Sequence, residues 1–474
     1  MIIGIDLGTT NSAAGIWRDG EAVLIPNSLG DLLTPSAVSL ADDGSVLVGA
    51  AARDRQPTHP ERTATAFKRL MGTQKQIRLG RKDFSAEDLS ALVLRSLKAD
   101  AEAWLDAPVE AAIITVPAYF NDRQRKATRR AGELAGLRVE RLINEPTAAA
   151  LAHGLHERGD KQPFLVFDLG GGTFDVSIVE IFSGIIEVRS SAGDNRLGGE
   201  DFNDVLVELA RPRLPGLGAQ ASDSRLQEVM RAAAERTRRA LTDATEAEMA
   251  FVWDGEAHRL AVTAAEFEAA AEPLLARLRD PVLRSLRDSN IRSEDLSEIV
   301  LVGGATRMPA VRRAVTRMFG RFPAGTVHPD HAVALGAAVQ AGLKMRDSAL
   351  DEIRLTDVCP FTLGVDVAWR DRSGTLHTGV FAPILERNTA IPASRVHAFA
   401  TMSDNQRLVE FGIYQGEARH VSGNVKLGSM RVPVIAMLLS TVFEGYRWSL
   451  LAGAGAVLTG IGLVIALRAR RPAR

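Results

Sequence analysis

Two carboxylates hold equivalent places in two copies of one short pattern. Asp6 ends the apolar run Met1–Ile5 and is followed by Leu7-Gly8-Thr9-Thr10. Asp168 ends Phe164-Leu165-Val166-Phe167 and is followed by Leu169-Gly170-Gly171-Gly172-Thr173. A carboxylate at a strand end can hold a hydrated divalent cation. Glycines at a turn let backbone N–H groups converge on an anion such as phosphate. After each turn the chain returns, through Asn11–Ile16 and through the alternating Phe174-Asp175-Val176-Ser177-Ile178, so both are read as strand–turn–strand hairpins. One such hairpin reads equally well as an ordinary glycine-rich turn. Two copies point to two homologous lobes offering a phosphate loop and a carboxylate each to a shared ligand.

Other residues could complete such a site. Lys68 lies in Phe67-Lys68-Arg69-Leu70 and reads, on its own, as a solvated lysine. Glu145 sits where Leu142-Ile143-Asn144 turns into Glu145-Pro146-Thr147-Ala148; a first-turn carboxylate at a helix start is the simplest account of it. Ala192–Asp201 brings Gly198 and Gly199 to the approach of another helix, a second place suited to phosphate. Glu235, Arg238, Arg239 and Thr242 fall on one side of a helix over 224–243. They form either a solvated charged face or a platform on which guanidinium groups stack on a base. Ile299–Val302 is a buried strand ending in Gly303 and Gly304, ahead of Arg307; His328-Pro329-Asp330 then opens a helix through Lys344. Neither G-x-x-x-x-G-K-[ST] nor G-x-G-x-x-G before a helix occurs, so the commoner nucleotide cradles are not indicated.

The elements positioning these residues read as alternating strands and helices. Residues 21–50 are expected to form short strands and turns. Ser85–Asp88 is expected to cap a helix with Leu89, Leu92, Val93 and Leu97 on its apolar face. Ala111–Val116 is a buried strand closed by Pro117, and Gln124–Ala135 a basic helix ending at Gly136. With 57 basic and 58 acidic residues the net charge is −1, which gives no electrostatic case for nucleic acid. Cys359 is the single cysteine, so no internal disulfide forms and a reducing compartment fits. The chain enters its first strand without the features of a secretory leader.

Taken in order, I-D-L-G-T-T-N-S, T-V-P-A-Y-F-N-D, I-N-E-P-T-A-A-A, F-D-L-G-G-G-T-F-D, L-G-G-E-D-F, L-V-G-G-A-T-R and G-A-A-V-Q-A resemble the DnaK-type heat-shock chaperone family. With D-V-C-P-F-T-L-G at 357–364 the chain looks like the shorter HscC-type members. The resemblance implies an α/β fold: a two-lobed actin-like (ribonuclease-H-like) ATPase domain over 1–347, with ATP in the cleft. It implies phosphate contacts from Gly8, Thr9, Thr10, Gly170, Gly171, Gly172 and Thr173. Asp6 and Asp168 would hold Mg²⁺ through water. Lys68 matches the family's catalytic lysine, assisted by Glu145, Thr173 and Asp175. Gly198, Gly199, Glu235, Arg238, Arg239, Thr242, Gly303, Gly304, Arg307 and Asp330 match nucleoside and cleft positions. Arg238 stands where lysine is common, and Ala305 where serine is frequent. Pro117, Arg125 and Glu145 match a relay linking nucleotide state to the partner domain.

Beyond the ATPase domain the resemblance implies a linker over 348–356 and a β-sandwich substrate domain, here shortened to 357–431. The linker departs from the family's leucine-rich run, keeping only Ile353 and Leu355 as apolar residues. Glu386–Pro392 and Ser403–Gln406 carry the likeness of the substrate domain. Phe381, Met402, Val409 and Phe411 are expected to line a groove for an extended apolar peptide, or to be ordinary strand-core residues. After Val434 the likeness ends, in an apolar tail over 432–474. Residues 448–467 carry no charge and are flanked by Arg447 and Arg468, the pattern of a transmembrane helix with Trp448 at the interface. A short apolar segment, Val432–Phe443, could complete a hairpin with it, and a tail acquired by fusion is a further reading. The implied function is an ATP-dependent chaperone that hydrolyses ATP slowly to control binding of unfolded polypeptides. Its partners would be a J-domain co-chaperone and a nucleotide-exchange factor, with a cytoplasmic ATPase domain anchored to a membrane by the tail. Alternatives are an ATP-binding membrane-associated regulator that no longer holds peptide, an actin-like small-molecule kinase and a filament-forming protein.

Overall fold

The computed structural model describes residues 1–156, 161–182, 185–214, 216–217, 223–325, 328–347, 350, 354–371, 373–402 and 406–433. They fall into two compact units, Met1–Pro360 and a second beginning at Phe361.

The first unit contains two sheets built on one plan. In the first sheet the strand order is Arg138–Asn144, Ala111–Val116, Ile2–Asp6, Asn11–Arg18 and Glu21–Ile25. In the second it is Ile299–Val302, Lys161–Leu169, Phe174–Phe182, Ile185–Asp194 and Arg354–Val358. Each sheet has a strand ending in the key aspartate or just beyond it. That strand pairs parallel with a later strand on one side and antiparallel with its own hairpin partner on the other. The repeated pattern of the sequence is therefore a repeated architecture. The near-continuous apolar run Phe164–Phe167 follows from burial on both faces of the sheet. Leu165 and Phe167 join one core with the helices Gly199–Ala210 and Ser224–Ala240, whereas Phe164 and Val166 join another with Ala148–Leu151 and Val339.

The layer between the sheets holds two helices, Glu145–His156 and Ala332–Met345. Small residues let them meet at backbone distance. A Cβ built on Gly336 would lie 1.7 Å from the Ala148 carbonyl oxygen, and one on Gly4 would lie 2.2 Å from the backbone of Ala337.

The local signals hold with small shifts. Ser85 caps Ala86–Leu105 in a capping box with Asp88, and Leu89, Val93 and Leu97 are buried. The basic helix spans Asp122–Leu134, begun by a capping box of Asn121 and Gln124. The helix carrying Glu235 ends at Ala240, so Thr242 lies in the turn beyond it rather than on its face. Of the expected linker, Arg354–Thr356 form a strand pairing parallel with Ile185–Glu187, while residues 351–353 lie outside the described residues.

The second unit is a four-stranded antiparallel sheet in the order Leu376–Leu385, Leu363–Arg370, Leu408–Gln415 and Val425–Pro433. Among the described residues no helix is long and apolar enough to cross a membrane. The segment expected to do so, 448–467, and residues 434–443 of the shorter apolar stretch lie outside the described residues, as do Ser403, Asp404 and Asn405.

Candidate functional site

The two hairpin tips converge. A Cβ on Gly171 would lie 1.9 Å from Thr10 Oγ1, and one on Gly198 would lie 2.5 Å from the Gly172 nitrogen. No other residue type allows the tips to approach this closely. The second tip is tied to the start of the helix Gly199–Ala210: the Gly199 and Glu200 amides donate to the Gly170 and Gly171 carbonyls at 2.9 and 2.8 Å. Asp201 accepts from the Gly198 amide at 2.8 Å, and Arg69 Nη2 reaches both Asp201 oxygens at 3.0 and 3.1 Å. Arg69 and Asp201 thus bridge the two halves over the hairpin tips. Nothing in the sequence pairs them, because they are far apart in the chain.

Between the tips lies a cavity of about 370 Å³. Of the expected site residues, Asp6, Gly8, Thr9, Thr10, Lys68, Glu145, Asp168, Gly170, Gly171, Thr173 and Gly199 line it, as do Arg238, Arg239, Thr242, Gly303, Gly304, Arg307 and Asp330. Leu33, Pro329 and Val333 line it too and were not singled out from sequence. Gly172 and Gly198 stand behind the lining and serve the convergence of the tips. Glu235 does not reach this cavity: it lines a smaller one of about 90 Å³ beside Thr9 and Thr10, and its carboxylate lies 2.6 Å from Arg239. Arg238 is held from behind, its Nε donating to Asn203 Oδ1 at 2.8 Å.

The floor carries three carboxylates, Asp6, Glu145 and Asp168, and one buried cation. Lys68 is 3% exposed, against the usual fate of a lysine, and its Nζ lies 2.6 Å from Glu145 Oε1. Its short helical turn Phe67–Leu70 follows Ala66, which adopts a left-handed conformation at φ 51°. Strain of that kind persists only where the surroundings fix it. Asp6 accepts from Thr115 Oγ1 at 2.8 Å, and Asp168 Oδ2 is buried without a hydrogen-bond partner. A buried, unpartnered carboxylate oxygen is costly unless something positive meets it. Burial, then the Glu145 charge, raise Asp6 to about 7, against an ordinary 3.8. Burial and the neighbouring Glu145, Asp175 and Asp6 push Asp168 well above the ordinary carboxylate range. Asp6 and Asp168 therefore form a cluster with more negative charge than Lys68 alone balances, and this donor set suits a hard divalent cation.

Asp175 lies behind this floor and does not line the cavity; its Oδ1 accepts from the Tyr119 amide at 3.1 Å, and burial raises it to about 8. Arg125 does not partner Glu145. Its guanidinium donates to the Phe120 and Ala118 carbonyls at 2.9 and 3.0 Å and to Asn144 Oδ1 at 2.7 Å. Asn144 Nδ2 in turn donates to Asp357 Oδ2 at 2.8 Å, which Thr147 also reaches at 3.1 Å. The Pro117–Arg125 turn is thus connected to Asp357 through the residue preceding Glu145. Asn144 and Asp357 carried no sequence signal of this role.

In the second unit, Phe381 pairs with Asp366, and the Gly412 amide donates to Asp366 Oδ1 at 2.6 Å. Phe381 therefore shares a face with Asp366 and Gly412, whereas Val409 and Phe411 alternate onto the opposite face. The Phe411 ring instead meets Phe399, centroids 5.3 Å apart. The structure does not bring Phe381 together with Phe411. Met402 is 46% exposed and borders residues outside the described set.

A family model described as Hsp70 protein matches residues 2–79 and 73–439 of the chain. Chaperone protein DnaK of Thermotoga neapolitana is 42% identical over 450 residues, covering 91% of this chain and 73% of the relative. Chaperone protein DnaK of Thermotoga maritima matches with the same identity and coverage. These matches support the DnaK type as a whole rather than the HscC-type members in particular. With two glycine hairpins closing on a carboxylate cluster and a buried lysine, the chain belongs to the Hsp70 family and is an ATPase.

Proposed function

We propose that the chain is an ATP-dependent chaperone whose cleft binds Mg²⁺·ATP and hydrolyses it to control the holding of extended polypeptides. The observation that carries this reading is the Lys68–Glu145 pair, buried between the two hairpin tips in the same cavity as Asp6 and Asp168. In this reading the amides and hydroxyls of Gly8–Thr10 and Gly170–Thr173 hold phosphate oxygens. Arg238, Arg239, Thr242 and Arg307 hold the nucleoside side. Asp6 and Asp168 hold Mg²⁺, which would neutralise charge on the phosphates. Lys68, fixed by Glu145, orients the attacking water; the water oxygen bonds to the γ-phosphorus while the bond to the ADP oxygen breaks, and the water's proton leaves with the inorganic phosphate. Such phosphoryl transfer asks the protein for positioning and charge stabilisation. Asp175 acts through the Tyr119 amide and the cleft charge rather than by touching the phosphates.

The face carrying Val409, Phe411 and Phe399 is the proposed contact for peptide, in place of Phe381. The test is binding of an extended apolar peptide to the full chain with ADP and with ATP, with and without a J-domain protein. Affinity that falls at least several-fold in ATP supports the chaperone. ATP hydrolysis without any peptide binding sinks it and favours a nucleotide-bound regulator. Membrane anchoring by 448–467 rests on the sequence pattern. It requires that the expressed chain sediment with membranes and be released by detergent but not by salt; recovery in the supernatant without detergent rules it out.

Asp6 on the floor and Asp175 behind it also set a pH dependence. The folded Asp6 and Asp175 are raised to about 7 and about 8 from an ordinary 3.8. The folded state therefore binds more protons than the unfolded state between those limits. Their contribution to stability is complete below the unfolded value and is lost as pH rises through the folded values. Cation-free protein is expected to melt at progressively lower temperature from about pH 5 to about pH 8. Mg²⁺·ADP should flatten this trend and release about one proton on binding, as ligation of raised carboxylates requires. Calorimetry in two buffers of different ionisation heat measures that release. A melting temperature that rises with pH in cation-free protein would contradict the assignment.

A further inference from the structure

The loop His328-Pro329-Asp330-His331, just ahead of the helix Ala332–Met345, forms part of the cleft wall through Pro329 and Asp330. The two histidines flanking them are not absorbed by the function above. Their rings stack, centroids 3.8 Å apart and planes inclined by 26°. Arg307, which lines the cleft, is held from this loop at two points: its Nη2 lies 2.5 Å from Asp330 Oδ2 and 3.1 Å from His328 Nε2. A guanidinium only donates hydrogen bonds. His328 Nε2 must therefore offer its lone pair, with the ring neutral and its proton on Nδ1.

We propose that His328 is a positioning residue for Arg307, and that the stacked His328–His331 pair frees Arg307 from the cleft wall on taking up a proton. The inference rests on the nucleotide reading given above and adds regulation to that site. A proton on His328 Nε2 removes the acceptor and turns the ring into a second donor facing Arg307. Two cations then compete for one carboxylate, Asp330, and the guanidinium loses its second point of support. The charged groups facing the pair are Arg307, from the turn after Ile299–Val302, and Asp330, from the loop itself. Asp330 also bears on Asp6 across the floor. Stacking at 3.8 Å opposes charging both rings, so the pair takes up one proton rather than two. Burial, the His328 ring and Arg307 hold His331 below the usual histidine range. With the pair uncharged Arg307 is fixed at both points, and a proton on His328 releases it.

The test is equilibrium binding of a fluorescent ADP to the full chain, with Mg²⁺, at about pH 7.5 and about pH 5.5. The floor carboxylates titrate as well, so the readout is the difference between wild type and variants. His328→Gln keeps an acceptor that does not titrate, and His328→Phe removes it. Wild type is expected to lose about tenfold more affinity on acidification than His328→Gln, the scale of one hydrogen bond to a charged group. His328→Phe is expected to bind weakly at both pH values. The same acid loss in His328→Gln as in wild type overturns the inference, and so does wild-type affinity of His328→Phe at about pH 7.5. Absence of ADP binding by wild type at either pH overturns the nucleotide reading itself and is distinct from both outcomes.

Discussion

Lys68→Met is expected to lower single-turnover ATP hydrolysis by about 100- to 1,000-fold while leaving ADP affinity within a few-fold of wild type. The lysine is the buried cation among the floor carboxylates Asp6, Glu145 and Asp168, and its ammonium is held 2.6 Å from Glu145 with almost no solvent access. Removing it has a second consequence. Breaking a buried ion pair by deleting one partner costs about 3–5 kcal/mol, because the other charge stays buried and unpaired. Glu145 would be left beside Asp6 and Asp168, both already raised by burial and then by its charge. Lost activity in the single variant could therefore reflect a loosened floor. The double variant Lys68→Met, Glu145→Gln removes both charges and should recover much of the melting temperature without recovering hydrolysis. Turnover within about threefold of wild type in either variant would mean that the buried pair is structural and that water is oriented elsewhere.

Gly336→Ala should destabilise the first unit by about 3 kcal/mol or more, one of the largest effects available from a single methyl group. The added Cβ would stand 1.7 Å from the Ala148 carbonyl oxygen, 2.3 Å from its carbon and 2.8 Å from its Cα. All three are backbone atoms, so no side-chain rotation relieves the clash. The helices Glu145–His156 and Ala332–Met345 would have to separate, and with them Glu145 and Val333, which face the cleft from the two helices. Weaker nucleotide binding should therefore accompany the lower midpoint in urea. Gly325→Ala is the matched control, since nothing lies within 4 Å of its added Cβ; its midpoint should stay within about 0.5 kcal/mol of wild type. Equal midpoints for the two variants would show that the helix pair tolerates separation.

Much of the ligand-facing surface was legible as residue patterns. A strand end, a carboxylate and a glycine turn are local devices, and each copy is written within about a dozen residues, because hydrogen bonding at a turn depends on near neighbours. The cap at Ser85 was readable for the same reason, whereas the helix that Asn121 caps was read only as a helix beginning at Gln124, after its true start at Asp122. The nucleoside wall was read less well. Glu235 shares a helix side with Arg238, yet it turns to Arg239 and the smaller cavity, a choice made by neighbours from other elements. Phe381 and Phe411 are both buried and apolar, but their faces follow from strand register, which their sequence spacing does not reveal.

By itself, the sequence determined that two glycine hairpins with terminal carboxylates exist and that their chemistry suits phosphate and a divalent cation. It also carried the resemblance that the family match bears out. The tertiary structure decided what long-range packing must supply. It buried Lys68 against Glu145, set Arg69 on Asp201 across the hairpin tips, and joined Arg125 to Asp357 through Asn144. It also placed two histidines behind Arg307. These partners are distant in the chain, and nothing in their local composition favours one pairing over another. They meet because Gly4 and Gly336 let the helix Ala332–Met345 lie against both the first sheet and its partner helix, so that the two halves close on one cleft.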